Sequence, residues 1–162
     1  MTTCYYPMPN WLEESFKLYN KDFEEKLQKL SGSFGYRIIA DPAWGIDKDV
    51  FMIMVLDAGK MKNLAVCSEQ YCKENAAYIM GAALPVWKKI LTKKDKFVGA
   101  FMGGRVKLEK GDTVGALALG PHANNLVDVL TQVDLKFTDE LSPAELAEFK
   151  SKFEAARKKL GV

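Results

Sequence analysis

The amino-acid sequence predicts a single α+β domain with an antiparallel-rich sheet and a helix near each end of the chain. Two observations predict this class. The first is a strand-like run in which every residue is apolar, which is followed by a glycine turn and a second strand. The second is an amphipathic helical pattern near each end of the chain. The chain has 162 residues, enough for one domain with a substantial core. We expect one domain over residues 1–162, with its core at about 11–133 and a C-terminal helix at 142–160.

The composition excludes several classes of protein. Hydrophobic residues make up 48% and charged residues 27% of the chain, which is typical of a globular domain and not of a disordered one. A net charge of +2 gives no indication of a nucleic-acid partner. The first residues lack the basic and apolar regions of a secretory signal, and no apolar run approaches the roughly 20 residues of a membrane span. We expect a soluble, cytoplasmic protein.

An apolar stripe predicts one long helix near the N-terminus. Asn10 and Glu13 have the spacing of a capping box, and Gly32 is expected to end the helix. Between them, six apolar residues recur at intervals of three and four, as on one face of a helix. They are Leu12, Phe16, Tyr19, Phe23, Leu27 and Leu30.

The run from Val50 to Leu56 predicts a strand that is covered on both faces. Each of its two alternating sets of side chains is apolar, whereas a half-exposed strand alternates apolar and polar residues. The turn 57–60 then predicts a hairpin with residues 61–68 as the second strand. Residues 34–40 and 76–84 are further β-type runs, although the second is also compatible with the start of a helix, and the segment 41–45 (DPAWG) is a turn.

Three helices are predicted in the second half of the chain outside the glycine-rich segment 97–120. Pro85 fits the first turn of one, and Pro121 begins another whose inward residues are expected to be Leu126, Val129, Leu130 and Val133. At the C-terminus, Ser142 and Glu145 form a capping box, and apolar residues follow at helical spacing up to Leu160.

The glycine-rich segment 97–120 raises the question of a phosphate-binding loop. Gly99 and Gly104 have the outer spacing of such a loop, but Arg105 follows where a lysine and a helix are required. The residues after Gly104 alternate apolar and polar, which indicates a half-buried strand. We therefore predict a strand here, ended by a turn at Gly111 and followed by a helix capped by Asp112.

Neither a metal site nor a catalytic site is indicated. Cys4, Cys67 and Cys72 are odd in number, their spacing does not fit a zinc site, and His122 is the only histidine. We expect buried free thiols in a reducing compartment, no metal and no cofactor. The segment 31–35 (SGSFG) is not a nucleophile elbow, so we do not expect an enzyme.

Part of the chain resembles the sterol carrier protein (type two) family. The matching pattern is AFMGG at 100–104, a glycine leading into the alternating strand Arg105–Val106–Lys107–Leu108, then Gly111–Asp112, with Arg105 in place of the usual lysine. Less specifically, the similarity extends from about Asp22 to Gly120. It implies a five-stranded mixed sheet flanked by helices around an apolar tunnel, here with an added C-terminal helix.

The resemblance also implies non-catalytic binding or transfer of a fatty acid, acyl-CoA, sterol or other lipid. Methionines suit such a site because unbranched thioethers adapt to irregular ligands, although they also fill ordinary cores. The residues we predict to line the site are Met52, Met54, Met80, Trp87, Ile90, Leu91, Phe97, Phe101, Met102 and Leu117.

A basic cluster flanks these residues. Its members are Lys88, Lys89, Lys93, Lys94 and Lys96. One interpretation is that these lysines face an anionic head group, a CoA phosphate or an acidic membrane surface. The other is that they form an ordinary solvent-exposed face.

A second function class remains open from the sequence. The chain would then be a protein-interaction or accessory domain of a lipid- or acyl-CoA-metabolising system, with the C-terminal helix docking on a partner or closing a homodimer. An exposed apolar patch on that helix and a filled core would favour this alternative. An enclosed apolar pocket would favour the lipid site.

Overall fold

The computed structural model describes every residue from Met1 to Val162. The strands are β1 (Thr3–Tyr6), β2 (Gly32–Ile39), β3 (Val50–Asp57), β4 (Lys60–Cys67), β5 (Tyr78–Ala83), β6 (Lys107–Lys110) and β7 (Asp134–Phe137). The helices are α1 (Pro9–Leu18), α2 (Lys21–Lys26), α3 (Glu69–Asn75), α4 (Leu84–Leu91), α5 (Phe97–Met102), α6 (Thr113–Leu117), α7 (Ala123–Leu130) and α8 (Pro143–Leu160). Short 3₁₀ turns lie at Pro42–Trp44, Gly120–His122 and Thr138–Glu140.

Five strands form one mixed sheet in the order β4-β3-β2-β5-β6. The pairs β2–β3, β3–β4 and β5–β6 are antiparallel, and β2–β5 is parallel. The predicted α+β class, with a five-stranded mixed sheet, flanking helices and an added C-terminal helix, is confirmed. The strand and hairpin predicted at 50–68 are also present as β3 and β4.

Strand β3 is buried on both faces, as its sequence predicts. Met52 and Met54 belong to the main core, on the side of the sheet that carries α1, α4 and α7. Phe51 and Ile53 point the other way, into a second and smaller core that α3 covers with Cys72. All three cysteines are free, and Cys4 and Cys72 are buried.

The prediction of one long N-terminal helix is wrong, because the chain breaks between α1 and α2. Asn20 restarts the helix, its side-chain oxygen accepting a hydrogen bond from the backbone N–H of Phe23 at 3.3 Å. At the break, the Tyr19 hydroxyl donates to the backbone carbonyl of Gly59 in the β3–β4 turn. Asn10 lies inside α1 and caps nothing, and Gly32 belongs to β2.

A small second sheet, absent from the sequence prediction, joins the N-terminus to the segment after α7. Strands β1 and β7 pair in parallel, with Cys4 opposite Leu135 and Tyr6 opposite Phe137. Cys4 and Tyr6 alternate inward and are buried at 1% and 2% exposure. This pairing places the Tyr6 side chain in the main core beside α1.

The turns around the glycine-rich segment are as predicted. Asp112 caps α6 by accepting a hydrogen bond from the backbone N–H of Gly115 at 3.0 Å. Gly111 has φ 92°, a conformation that favours glycine. In strand β6 only Leu108 is half-buried and the other three residues are exposed, while Val106 points inward just before the strand.

Helix α8 packs against the rest of the domain through both apolar and polar contacts. Phe149 and Phe153 are buried, and the capping box of Ser142 and Glu145 is present. Arg157, 8% exposed, donates hydrogen bonds to the backbone carbonyl oxygens of Lys48 at 2.7 Å and of Asp49 at 2.5 Å. None of the helices combines the length and the apolar character that a membrane crossing needs.

Candidate functional site

An apolar cavity of about 70 Å³ lies between the main-core face of the sheet and the helices above it. Fourteen residues line it, all aliphatic or aromatic. They are Tyr6, Trp11, Tyr36, Ile38, Met52, Trp87, Ile90, Leu91, Phe97, Leu119, Ala123, Leu126, Val127 and Leu130.

Local periodicity explains why these side chains converge. On β2 the alternate residues Tyr36 and Ile38 face the same side of the sheet, and Tyr36 pairs with Met52 of β3. Helix α4 contributes residues 87, 90 and 91, and α7 contributes residues 123, 126, 127 and 130. Both sets have the spacing of one helical face, so each helix lays one apolar stripe over the sheet.

Five of the ten residues predicted for the site line this cavity. They are Met52, Trp87, Ile90, Leu91 and Phe97.

The other five predicted residues lie elsewhere. Met54 and Met80 are 1% and 0% exposed and fill the main core. Phe101 packs on the core with its ring centroid 5.8 Å from that of Phe97, and Leu117 is half-buried. Met102 is 69% exposed, since it occupies the outer face of α5.

Nine lining residues were absent from the sequence prediction. Four come from α7, including Leu126 and Leu130. The helical spacing predicts that these two side chains point inward, but it does not indicate that they face the cavity. Tyr36 shares the face of Met52, which the alternation of β2 and β3 would have shown once their register was known. Tyr6 comes from β1, for which the sequence carried no signal.

Only four lining side chains carry a polar group. The indole N–H of Trp11 donates to the backbone carbonyl of Leu130 at 2.7 Å, and that of Trp87 donates to the carbonyl of Arg37 at 3.2 Å. The hydroxyls of Tyr6 and Tyr36 have no hydrogen-bond partner in the protein. Burial raises the pKa of both phenols, so both remain protonated and neutral across the physiological range.

The chemistry of the cavity wall is almost entirely apolar. It has no carboxylate, imidazole, thiol, aliphatic hydroxyl or ammonium group. His122 lies outside it, in the 3₁₀ turn before α7. No three His, Cys, Asp or Glu side chains come close enough together to hold a metal ion.

The cavity is smaller than a typical ligand pocket. Its volume of about 70 Å³ compares with roughly 300–1,000 Å³ for small-molecule sites and about 150 Å³ for an engineered cavity that takes up benzene. In this structure the space is a small pocket that is partly open to its surroundings. A lipid chain would enter only if some of the lining side chains moved apart.

The basic cluster divides into paired and unpaired lysines. Lys88 forms ion pairs with Asp139 and Glu140 at 3.0 and 2.8 Å, and Lys93 pairs with Asp128 at 2.5 Å. Lys89, Lys94 and Lys96 are exposed and make no ion pair. They lie on α4 and in the connection from α4 to α5, two helices that line the cavity.

Comparison with known proteins identifies the fold. No family model and no curated protein matches the sequence. A crystal structure of sterol carrier protein 2 is similar with a TM-score of 0.64 and 23% identity, covering 78% of this chain and 97% of that one. A conserved hypothetical protein of Thermus thermophilus, described as a candidate sterol carrier protein, has the same score and identity over 78% and 88% of the two chains.

Sterol carrier protein 2 of Yarrowia lipolytica, in its apo form, is 15% identical with a TM-score of 0.50, over 72% of this chain and 86% of that one. This protein therefore has the fold of sterol carrier protein 2, and the resemblance that the glycine-rich segment indicates is confirmed at the level of the fold. Identities this low establish architecture and leave ligand and activity to be argued from the cavity.

Proposed function

We propose that this protein binds, and passes on, a small hydrophobic ligand of the lipid class without chemical conversion. The observation that carries the proposal is the cavity: a predominantly apolar wall assembled from the sheet and four helices, without a thiol, an aliphatic hydroxyl or a charged group. Its position within a sterol carrier protein 2 fold supports the same function. Fatty acids, acyl-CoA esters, sterols and other lipids are the candidate ligands.

Apolar burial is the driving force that such a wall supplies. Each methylene group transferred from water into the cavity contributes about 0.8 kcal/mol, which is about a fourfold change in affinity. Affinity should therefore increase with chain length until the space is full. A wall without catalytic groups releases the ligand unchanged.

Opening the cavity is easiest on the side of α5 and α6. These helices have only six and five residues, and α6 buries a single side chain, Ala116. Leu119 follows α6 and lines the cavity, as does Phe97 at the start of α5. Moving this segment breaks few contacts, whereas moving the sheet would break its ladders of hydrogen bonds.

Native mass spectrometry of the purified protein, followed by solvent extraction, tests the proposal directly. We expect a stoichiometric adduct of lipid mass, or uptake of added probes with the chain-length dependence given above. Failure to take up fluorescent fatty acids, acyl-CoA and sterols, in protein that also carries no adduct, would contradict the proposal.

The interaction-domain alternative lacks the feature that would favour it. On α8 the side chains of Phe149 and Phe153 are buried inside the protein, and Leu160, 49% exposed, is the only large hydrophobic residue on the helix that faces solvent. Self-association stays a prediction, which sedimentation velocity can test.

We also propose that transfer includes transient contact with an anionic membrane. Lys89, Lys94 and Lys96 support this, since they are exposed, unpaired and adjacent to helices that line the cavity. Sedimentation with vesicles should show more binding to phosphatidylserine-containing than to pure phosphatidylcholine membranes, and less binding when all three lysines are replaced by glutamine. Equal binding to both kinds of vesicle would contradict it.

A further inference from the structure

Two residues that line the cavity, Tyr6 and Tyr36, carry hydroxyl groups without a hydrogen-bond partner in the protein. Tyr6 is 2% exposed and Tyr36 is half-buried, and neither hydroxyl forms a hydrogen bond with a side chain or with the backbone. The two indole N–H groups of the wall, by contrast, both donate to backbone carbonyls. The only fully buried side-chain polar atom without a partner is Ser15 Oγ, so the two phenol oxygens are not sealed inside the core and are free to bond to a molecule that enters the cavity.

Aromatic packing holds both phenol rings in place. The Tyr6 ring lies 4.9 Å from that of Trp11 and 5.4 Å from that of Phe137, and the side chain is 2% exposed. The Tyr36 ring packs edge-on against Trp87 at 5.7 Å, on the central strand of the sheet. Because both rings are held by aromatic neighbours, we expect the two hydroxyls to stay in place when the α5–α6 side of the cavity opens.

We propose that Tyr6 and Tyr36 hydrogen-bond to an uncharged oxygen of the ligand, so that the cavity selects neutral oxygenated lipids, namely alcohols, ketones and esters. The inference rests on the proposed lipid-binding function and narrows its ligand class. A phenol can both donate and accept, so it pairs equally well with a hydroxyl or with a carbonyl oxygen.

The same wall discriminates against the two neighbouring ligand classes. A pure hydrocarbon leaves both hydroxyls unpaired, which forfeits the hydrogen bonds that an alcohol or an ester makes. A carboxylate ion brings a full charge into a wall without a lysine, arginine or histidine, and burying an unpaired charge is far more costly. A fatty acid would therefore bind with its ionised head outside the cavity.

A matched series of ligands tests the selection in the wild-type protein. Decanol, decane and decanoate have the same chain length, and decanoate is ionised at about pH 8. Their affinities can be compared by displacement of Nile red. We expect decanol to bind about 2- to 13-fold more tightly than decane for each hydrogen bond formed, and decanoate to bind more weakly than decanol.

The variants Tyr6→Phe and Tyr36→Phe remove one oxygen each and keep the ring. The double variant should lose the preference for decanol over decane. Tyr71→Phe, on the exposed face of α3, serves as the matched control and should behave like the wild type. Thermal denaturation checks that each variant is folded.

The two proposals fail in different ways. If the three ligands bind the wild type equally, or if decanol preference survives in the double variant, the hydroxyl assignment is wrong and lipid binding still stands. If none of the three displaces Nile red and no lipid adduct is found, both the assignment and the proposed function are wrong. The ligand series decides the question even if a variant does not fold.

Discussion

Filling the cavity should stabilise the protein and abolish ligand binding, and Ala123→Leu is the substitution that tests this. Ala123 is the first residue of α7, it lines the cavity, and leucine is nearly as good a helix former as alanine. The added carbon atoms enter empty space where the ligand chain would otherwise lie.

The magnitude follows from the volume. A cavity of about 70 Å³, at about 24 cal/mol per Å³, costs about 1.7 kcal/mol of stability. Burying three further carbon atoms at about 0.8 kcal/mol each gives about 2.4 kcal/mol when the fit is perfect. We expect a gain of about 2 kcal/mol in the free energy of unfolding, equivalent to an increase in Tm of about 4 to 8 °C for a domain of this size.

Urea denaturation and decanol binding, measured on the same preparations, give the two required quantities. Ala155→Leu makes the same chemical change on the exposed side of α8 and should alter neither quantity by a comparable amount. A gain in stability with unchanged binding would show that the cavity is only a packing defect. A loss of stability with unchanged binding would refute the placement of the cavity itself.

Three further predictions concern the framework. Arg157→Met removes donors to two backbone carbonyl oxygens and should lower the free energy of unfolding in urea by about 2–4 kcal/mol, without changing ligand binding. Burial opposes the ionisation of Asp49, but the hydrogen bonds from the backbone N–H of Ala40 and from the Arg37 guanidinium outweigh burial and lower the pKa of Asp49. The stability that the Asp49 carboxylate contributes is therefore present near neutral pH and lost in acid. The difference in the free energy of unfolding between the wild type and Asp49→Asn should shrink as the pH decreases below about 4. Gly115→Ala should lower Tm because its β-carbon would overlap the Tyr78 phenol, whereas Gly99→Ala, with open space around it, should not.

Much of the fold could be predicted from local pattern because the pattern is physical. The uninterrupted apolar run of β3 requires cover on both faces, and the structure places the main core on one and α3 with Cys72 on the other. The capping box at Ser142 predicted the start of α8 correctly, since it satisfies N–H groups that every helix start leaves free.

Two features needed information that a local pattern does not contain. The stripe from Leu12 to Leu30 is compatible with one helix, and only the cap at Asn20, together with Tyr19 bonding to the β3–β4 turn, favours two. Strand β1 has four residues and pairs with β7, which lies more than a hundred residues away in the sequence. Neither a four-residue run nor its distant partner produces a detectable periodicity.

The same limit explains the site. Helical spacing predicted that Trp87, Ile90 and Leu91 share a face, and all three line the cavity. Residue type predicts a methionine at the site but does not decide between core and cavity: Met52 lines the cavity, whereas Met54 is enclosed in the core two residues further along the same strand. Whether a methionine lies in the core or lines the cavity depends on which helices pack against its position on the sheet.

The contrast between the two sides of the cavity leads to a specific expectation for ligand binding. The sheet side holds the hydroxyl of Tyr36, fixed by the strand ladders and by Trp87, while the α5–α6 side is built from two short helices with few buried side chains. A cavity of about 70 Å³ cannot admit a lipid without expanding, and expansion will occur where the fewest contacts are lost. Amide hydrogen exchange should therefore show opening at 97–120 on ligand exchange, with β2 and β3 protected throughout; faster exchange in β2 than in α6 would contradict this division of the wall.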